Sequence, residues 1–191
     1  MKGEIILNTL KKIFAIQGFT SSGKDTIAKR ISEEFNMPIL VSHTTRPPRD
    51  GEINGMSYHF VDDDFFNENE FLEKRLYNTE YGVWKYGLHC NEIENKLYSL
   101  FIVDRQGYEE LQEKLGKDKL VSIFIDVSEK DLRERHRLRG DCPKEFERRF
   151  EDDKKRFDGY LADYVICNDN LEDAIKKIKF IIVDEMIGME I

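Results

Sequence analysis

The chain is short of the residues that would take it out of the ordinary globular class. Its 191 residues include one tryptophan, four prolines and three cysteines. Cys90, Cys142 and Cys167 are odd in number and far apart, which speaks against a disulfide framework and against a cysteine zinc site. A reducing, cytoplasmic compartment is the expectation. His43, His59, His89 and His136 show no metal-ligand spacing and read as surface or packing residues. No apolar run approaches the about 18–20 residues that span a bilayer, and Met1 to Lys12 lacks the layout of a signal peptide. Basic excess is missing too. Thirty Lys and Arg stand against 38 Asp and Glu, a formal net charge of −8, which argues against a general nucleic-acid binder. There are no internal repeats and no low-complexity stretch.

What is present suits one soluble domain with a full core and room for small inserted lobes: 40% of the residues are hydrophobic and 36% charged. The chain is organised around Ile13 to Thr26. An apolar run predicts a buried strand. It is followed by Gly18, Thr20, Ser21, Ser22, Gly23 and Lys24, and then by a helix-forming stretch to Phe35. Strand, glycine loop, lysine and helix in this order form a phosphate cradle. Glycines let successive N–H groups point at one anion, the helix N-terminus adds partial positive charge, and Lys24 adds a full one. The pattern calls for Ser or Thr after the lysine, to hold Mg²⁺. Asp25 stands there instead, an oxygen ligand that also suits Mg²⁺, with the Thr26 hydroxyl one residue later.

Pro38 to Ser42 predicts a second buried strand, so that a βαβ unit and a parallel sheet are expected. From His43 to Gly55 the chain is polar and loop-like. A short strand is expected within 56–61, a short helix within 62–70 and a strand over 71–77. The core resumes with an apolar strand over 97–103 that ends in Asp104, where strand C-termini border a nucleotide cleft. A helix is expected over 107–116 and a strand over 120–125. Ser128 opens a basic helix carrying Arg133, Arg135, Arg137 and Arg139. After a break at 140–143 come a charged helix to about Phe157, a last strand over 163–167 and a final helix capped by Asn170. Leu171, Ala174, Ile175, Ile178 and Ile182 share one face of that helix.

The loop also offers Arg46 and Arg49, with Tyr58 following. Two guanidinium groups and a phenol suit a phosphate monoester. Here the chain resembles the guanylate kinases. Ser42, Thr44-Thr45-Arg46, Arg49, Glu52, Gly55, Tyr58 and Phe60 match that family's substrate signature. The likeness continues through Phe71-Leu72-Glu73, Tyr86-Gly87, Val103 to Gly107, the arginines of 132–149 and Asp163 to Asp169. The resemblance implies an α/β P-loop nucleoside-monophosphate kinase fold. Such a fold has a five-stranded parallel core sheet with helices on both faces, over 1–42, 98–131 and 162–191. A small mixed α/β lobe over 43–97 would bind GMP, and a helical lid over 132–161 would close on both nucleotides. It implies an enzyme that moves the γ-phosphoryl of MgATP to GMP or dGMP, acting as monomer or homodimer with small nucleotides as its partners.

Carried over by position, Arg46, Arg49, Tyr58 and Tyr86 grip the GMP phosphate. Ser42, Glu73 and Asp104 face guanine. Lys24, Arg135, Arg139 and Arg149 serve catalysis, and Asn168 lies near the donor adenine. Asp25 and Asp104 are the candidate metal residues. Three positions depart from the family pattern. Asp25 replaces a hydroxyl residue, Leu88 stands where a guanine-touching hydroxyl belongs, and Ile102 stands where an Asp is frequent. The spacing from Glu73 to Tyr86-Gly87 is also longer than usual, with Tyr81-Gly82-Val83 as a competing register. A kinase of the same fold for another phosphorylated acceptor remains an alternative. So does a protein-binding module of this shape without catalysis, although such modules lose the phosphate loop that this chain keeps.

Overall fold

A computed structural model describes residues 10–79, 82–140 and 142–188. Its elements in chain order are β1 (Lys12–Gly18), α1 (Lys24–Phe35), β2 (His43–Thr44), β3 (His59–Phe60), α2 (Asp63–Glu68), β4 (Phe71–Thr79), β5 (Gly82–His89), β6 (Tyr98–Ile102), α3 (Arg105–Leu115), β7 (Leu120–Asp126), α4 (Glu129–Arg139), α5 (Pro143–Phe157), β8 (Tyr164–Cys167) and α6 (Leu171–Ile187). Short 3-10 turns cover Cys90–Ile93 and Lys117–Lys119.

β1 is apolar on both faces, and the sheet is built around it. Phe14 and Ile16 enter a cluster with Ile27 and Ile31 of α1 and with Ile175, Ile178 and Ile182 of α6. Ile13 and Ala15 point the other way, to Phe101, Tyr108 and Leu111. Burial on both faces is what a parallel sheet requires. The strands β6, β1, β7 and β8 lie side by side in that order, all parallel. The expected strand at 38–42 flanks β6 but is reduced to one bridge, Ile39 to Leu100. Leu40 N–H donates to the Leu100 carbonyl and Leu100 N–H to that of Pro38. Pro38 has no N–H for a ladder, and past Leu40 the chain turns away, the Val41 N–H bonding to the Glu92 carboxylate. The fifth strand therefore exists in position but not as a regular ladder.

The helices start and stop where local chemistry directs. Asn36 in the left-handed region (φ 48°) ends α1. Side chains of Ser128 and Asn170 accept N–H groups at the starts of α4 and α6, each satisfying a donor that the helix leaves unpaired. Pro143 opens α5, where its missing N–H costs nothing.

A second sheet, in the order β3-β2-β5-β4, occupies the stretch between Ser42 and β6. β2 lies inside the stretch expected to be loop. β5 was not expected as a strand, because two glycines and a lysine obscure its alternation of Trp84, Tyr86 and Leu88. β4 and β5 form a long antiparallel ribbon with Glu73 opposite Leu88, Arg75 opposite Tyr86 and Thr79 opposite Gly82.

Candidate active site

The phosphate loop leaves β1 at Gly18. A side chain there would come within 2.7 Å of the Ile125 carbonyl, so glycine is a steric necessity. Ser21 (φ 64°) and Gly23 (φ 90°) take left-handed conformations, which turn the loop back on itself before α1 begins at Lys24. Asn168, at the end of β8, holds the loop from below: its Nδ2 donates to the Ser22 carbonyl at 2.8 Å. Lys24 Nζ donates to the Phe19 carbonyl at 3.2 Å. Burial lowers its pKa, against the nearby carboxylates of Asp25 and Asp153, and the charges of Arg139 and Arg149 lower it further. An anion arriving at the loop would relieve that cation crowding. Asp25 and Thr26 are exposed on the first turn of α1.

Helices α4 and α5 lean on the loop. Arg135 donates to the Ser22 carbonyl at 3.3 Å and to that of Asn168 at 2.6 Å. One turn later Arg139 donates to Ser21 Oγ at 2.8 Å, as i, i+4 spacing allows. Arg149 is held on its own helix by Glu145 at 2.7 Å, its charge still felt at Lys24. Phe19 of the loop packs edge-on against Phe124 and Phe150 and stacks on Phe157. Asp153 of α5 accepts the Thr20 N–H at 2.7 Å, and burial raises its pKa.

Across the cleft, Arg46 is 3% exposed. Its Nε donates to the Tyr86 hydroxyl at 3.0 Å and its Nη2 to Glu52 at 2.8 Å. Its guanidinium lies 5.4 Å from the Tyr58 ring centroid, and the Tyr58 and Tyr86 rings meet edge-on. Arg49 joins through its backbone N–H, which donates to the same Glu52 carboxylate, while its side chain is exposed. Glu52 thus organises both arginines, and its own pKa is lowered by these bonds against the cost of burial. Burial raises the Tyr58 pKa, and the charge of Asp25 contributes.

Glu73 lies beside the clamp, buried at 4% exposure. Its pKa is pushed up to about 7, chiefly by burial, with Asp104 and Glu110 adding to the rise and Arg75 opposing it. The Ser42 carbonyl accepts the His59 N–H, a backbone bond to β3, and no contact of its hydroxyl with Glu73 or Asp104 is seen among the described residues. Asp104 caps α3 by accepting the Gly107 N–H at 2.8 Å. It also turns toward β4, meeting Arg75 Nε at 3.2 Å and the Tyr77 hydroxyl at 3.2 Å. Leu88 is fully buried with Leu72, Ile93 and Phe101 and offers no hydroxyl to the site.

The structure joins Tyr86 to Arg46, which also holds Glu52. Tyr81 of the competing register lies outside the described residues. Sequence reasoning missed Arg75, Tyr77 and Asp153. Arg75 and Tyr77 were detectable in principle, because they follow Glu73 at the two-residue period of a strand whose other face carries Lys74 and Leu76. Asp153 lay within a run of charges that gave no reason to single it out.

A glycine-rich loop leading into a helix that begins at Lys24, carried at the end of a parallel strand of an α/β core, is the arrangement of a P-loop kinase. The guanylate kinase family model matches residues 11–185. A guanylate kinase of Zymomonas mobilis is 33% identical over 189 residues, covering 92% of this chain and 84% of its own length. One from Clostridium perfringens is 34% identical over 194 residues, covering 97% and 88%. The crystal structure of the Anaplasma phagocytophilum guanylate kinase superposes with a TM-score of 0.66 at 28% identity, covering 93% of this chain and 87% of that one. The chain belongs to the guanylate kinase family, and it is an ATP-dependent nucleoside-monophosphate kinase. Among the described residues no helix is long and apolar enough to cross a membrane.

Proposed function

We propose that this enzyme transfers the γ-phosphoryl of MgATP to GMP or dGMP, giving ADP and the guanosine diphosphate. The observation that carries this reading is the buried Glu73 carboxylate beside the Arg46–Tyr86 clamp. A nucleotide whose phosphate sits in the clamp presents its base to that carboxylate. Guanine offers N1–H and an amino group to a carboxylate, and adenine offers no such donor pair on the same edge. One buried acceptor then discriminates strongly, because the wrong base leaves it unpaired.

The roles follow from position. The cradle of Gly18, Thr20, Ser21, Ser22 and Gly23 with Lys24 holds the ATP phosphates, and Asn168 supports it. Arg135, Arg139 and Arg149 bring charge to the transferring group. Arg46, Arg49, Tyr58 and Tyr86 hold the acceptor phosphate in line. Ser42, Glu73 and Asp104 line the base site. Positioning and charge neutralisation supply most of the acceleration in such transfers. The acceptor phosphate is itself the nucleophile, so no general base is needed. Exposed oxygen donors on the first turn of α1, Asp25 and Thr26, fit Mg²⁺. That ion would offset charge on the bridging phosphate oxygens. Asp104 already has its carboxylate engaged, which leaves Asp25 the freer of the two acidic candidates.

We divide the chain accordingly into a core (1–42, 98–131, 162–191), an acceptor lobe (43–97) and a lid (132–161), and place it among small nucleotides in the cytoplasm. The test is a product assay with MgATP and each of GMP, dGMP, AMP, CMP, UMP and dTMP. Diphosphates from GMP and dGMP alone are expected. Faster turnover of another acceptor would overturn the base assignment and leave the phosphate chemistry standing.

A further inference from the structure

A carboxylate of this chain reaches into its own phosphate loop. Asp153 lies on α5, yet its Oδ2 accepts the Thr20 N–H at 2.7 Å, across 133 residues of sequence. Thr20 stands between the two glycines of the loop, and backbone N–H groups in such a loop are what a phosphate binds. The charges of Lys24 and Arg156 also act on Asp153. Lys24 in turn feels Asp153, with Arg139 and Arg149 close enough to oppose it. The Asp153 side chain therefore draws on a donor and on cations that a nucleotide phosphate would use.

The placement is built into the packing. Phe150, Asp153 and Phe157 are spaced three and four apart, so they share one face of α5. Phe19 of the loop packs on Phe150 at 5.6 Å and on Phe157 at 5.8 Å between ring centroids. Two aromatic contacts, one on each side, thus hold Asp153 against Thr20. The neighbouring Asp152 is turned away and pairs with Arg148 at 2.9 Å. Asp25, the other carboxylate that acts on Lys24, is exposed at the start of α1, where water screens it. Asp153 is half-buried, so its charge is screened less.

We propose that Asp153 is an internal competitor for nucleotide phosphate: it takes the Thr20 N–H and part of the positive charge around Lys24, and a phosphate oxygen must displace it to bind. The effect falls on ATP and ADP alike, because both present phosphates to the loop. It weakens the hold on the donor and speeds release of the product. Nothing in it depends on the base. This inference rests on the reading of the loop as the site of the ATP phosphates.

The experiment measures Kd by calorimetry on the full chain for ATP, ADP and inorganic tripolyphosphate, each with and without Mg²⁺. Asp153→Asn keeps an acceptor for the Thr20 N–H and removes the charge. Asp153→Ser, smaller and still an acceptor, is made beside it in case the amide folds poorly. Binding of all three anions should tighten by about three- to tenfold, the size of one like-charge contact near a protein surface. Asp152→Asn removes the same charge from the same helix and should leave each Kd within about twofold. If Asp153 were instead a ligand of Mg²⁺, its loss would weaken the Mg²⁺ complexes and leave the metal-free anions unchanged. If it only braced α5, its loss would lower Tm and tighten nothing. Either pattern, affinity gained by neither Asp153 variant, or an equal gain in Asp152→Asn overturns the inference while the loop keeps its role. A wild type that binds none of the three anions overturns the reading of the loop itself.

Discussion

Asn168 donates to the Ser22 carbonyl at 2.8 Å from the end of a strand 146 residues away in sequence, and this one bond fixes the floor of the phosphate loop. Asn168→Asp would put a carboxylate oxygen against that carbonyl in a site only 2% exposed. A buried polar group without its partner costs about 1–3 kcal/mol. A lowered Tm and a KM for ATP raised about tenfold are expected, with KM for GMP little changed. Equal loss for both nucleotides would place Asn168 outside the ATP site.

Arg46 engages Tyr86 and Glu52 with different nitrogens of one planar group. Lysine cannot reproduce that geometry. Arg46→Lys should raise KM for GMP by about ten- to a hundredfold and leave KM for ATP within about twofold. An unchanged GMP KM would remove Arg46 from the acceptor site.

Glu73 titrates near neutrality because burial disfavours its charge. Base reading needs the carboxylate form. KM for GMP should therefore rise as pH falls from about 8 to 6, and the Glu73→Gln variant, with a higher KM throughout, should lose the part of that limb that does not belong to the GMP phosphate. The stability sign follows. The folded pKa of about 7 lies above the ordinary carboxylate value of 4.5, so the folded state binds the proton more tightly. The associated stability is complete below pH 4.5 and is lost as pH rises to about 7. Glu73→Gln should gain stability on the wild type over that window, by about 3 kcal/mol at most. A stability difference that does not change with pH would contradict this.

His43 responds in the opposite direction. It is 7% exposed and stacked among His59, His89 and Phe65. Its pKa is lowered to about 4 by burial and by the neighbouring imidazoles, with Glu92 opposing. Stability tied to its neutral form is complete above pH 6.5 and lost as pH falls to about 4. His43→Phe should flatten acid unfolding in that range, by about 2 kcal/mol. Identical acid curves for the two proteins would rule this out.

Much of this was readable in the residues. The strand–glycine–lysine–helix order and the Arg46 to Phe60 signature depend on local sequence, so both appear where expected. The Asn170 cap and the apolar face after it are local too. What failed to show depends on partners distant in sequence. Pro38 to Ser42 has a strand's composition, yet a proline at its start and the turn toward the second sheet leave a single bridge. β5 is a strand because β4 and β2 lie on either side of it, not because of its own glycine-broken sequence. Arg75 reads as an ordinary charge in a polar strand until Asp104, Glu110 and Gly107 arrive from another part of the chain.

The ribbon of β4 and β5 separates length from chemistry. The residues of the ribbon proposed to meet the acceptor, Glu73 and Tyr86, belong to its base, and pairing continues outward to Thr79 and Gly82. Residue pairs added beyond those rungs would lengthen the ribbon without moving a base-reading atom. Residues added between Phe71 and Glu73 would turn the whole reading face toward solvent. The ribbon's far end is thus where this enzyme can accept an inserted peptide or a label and still count its substrates correctly.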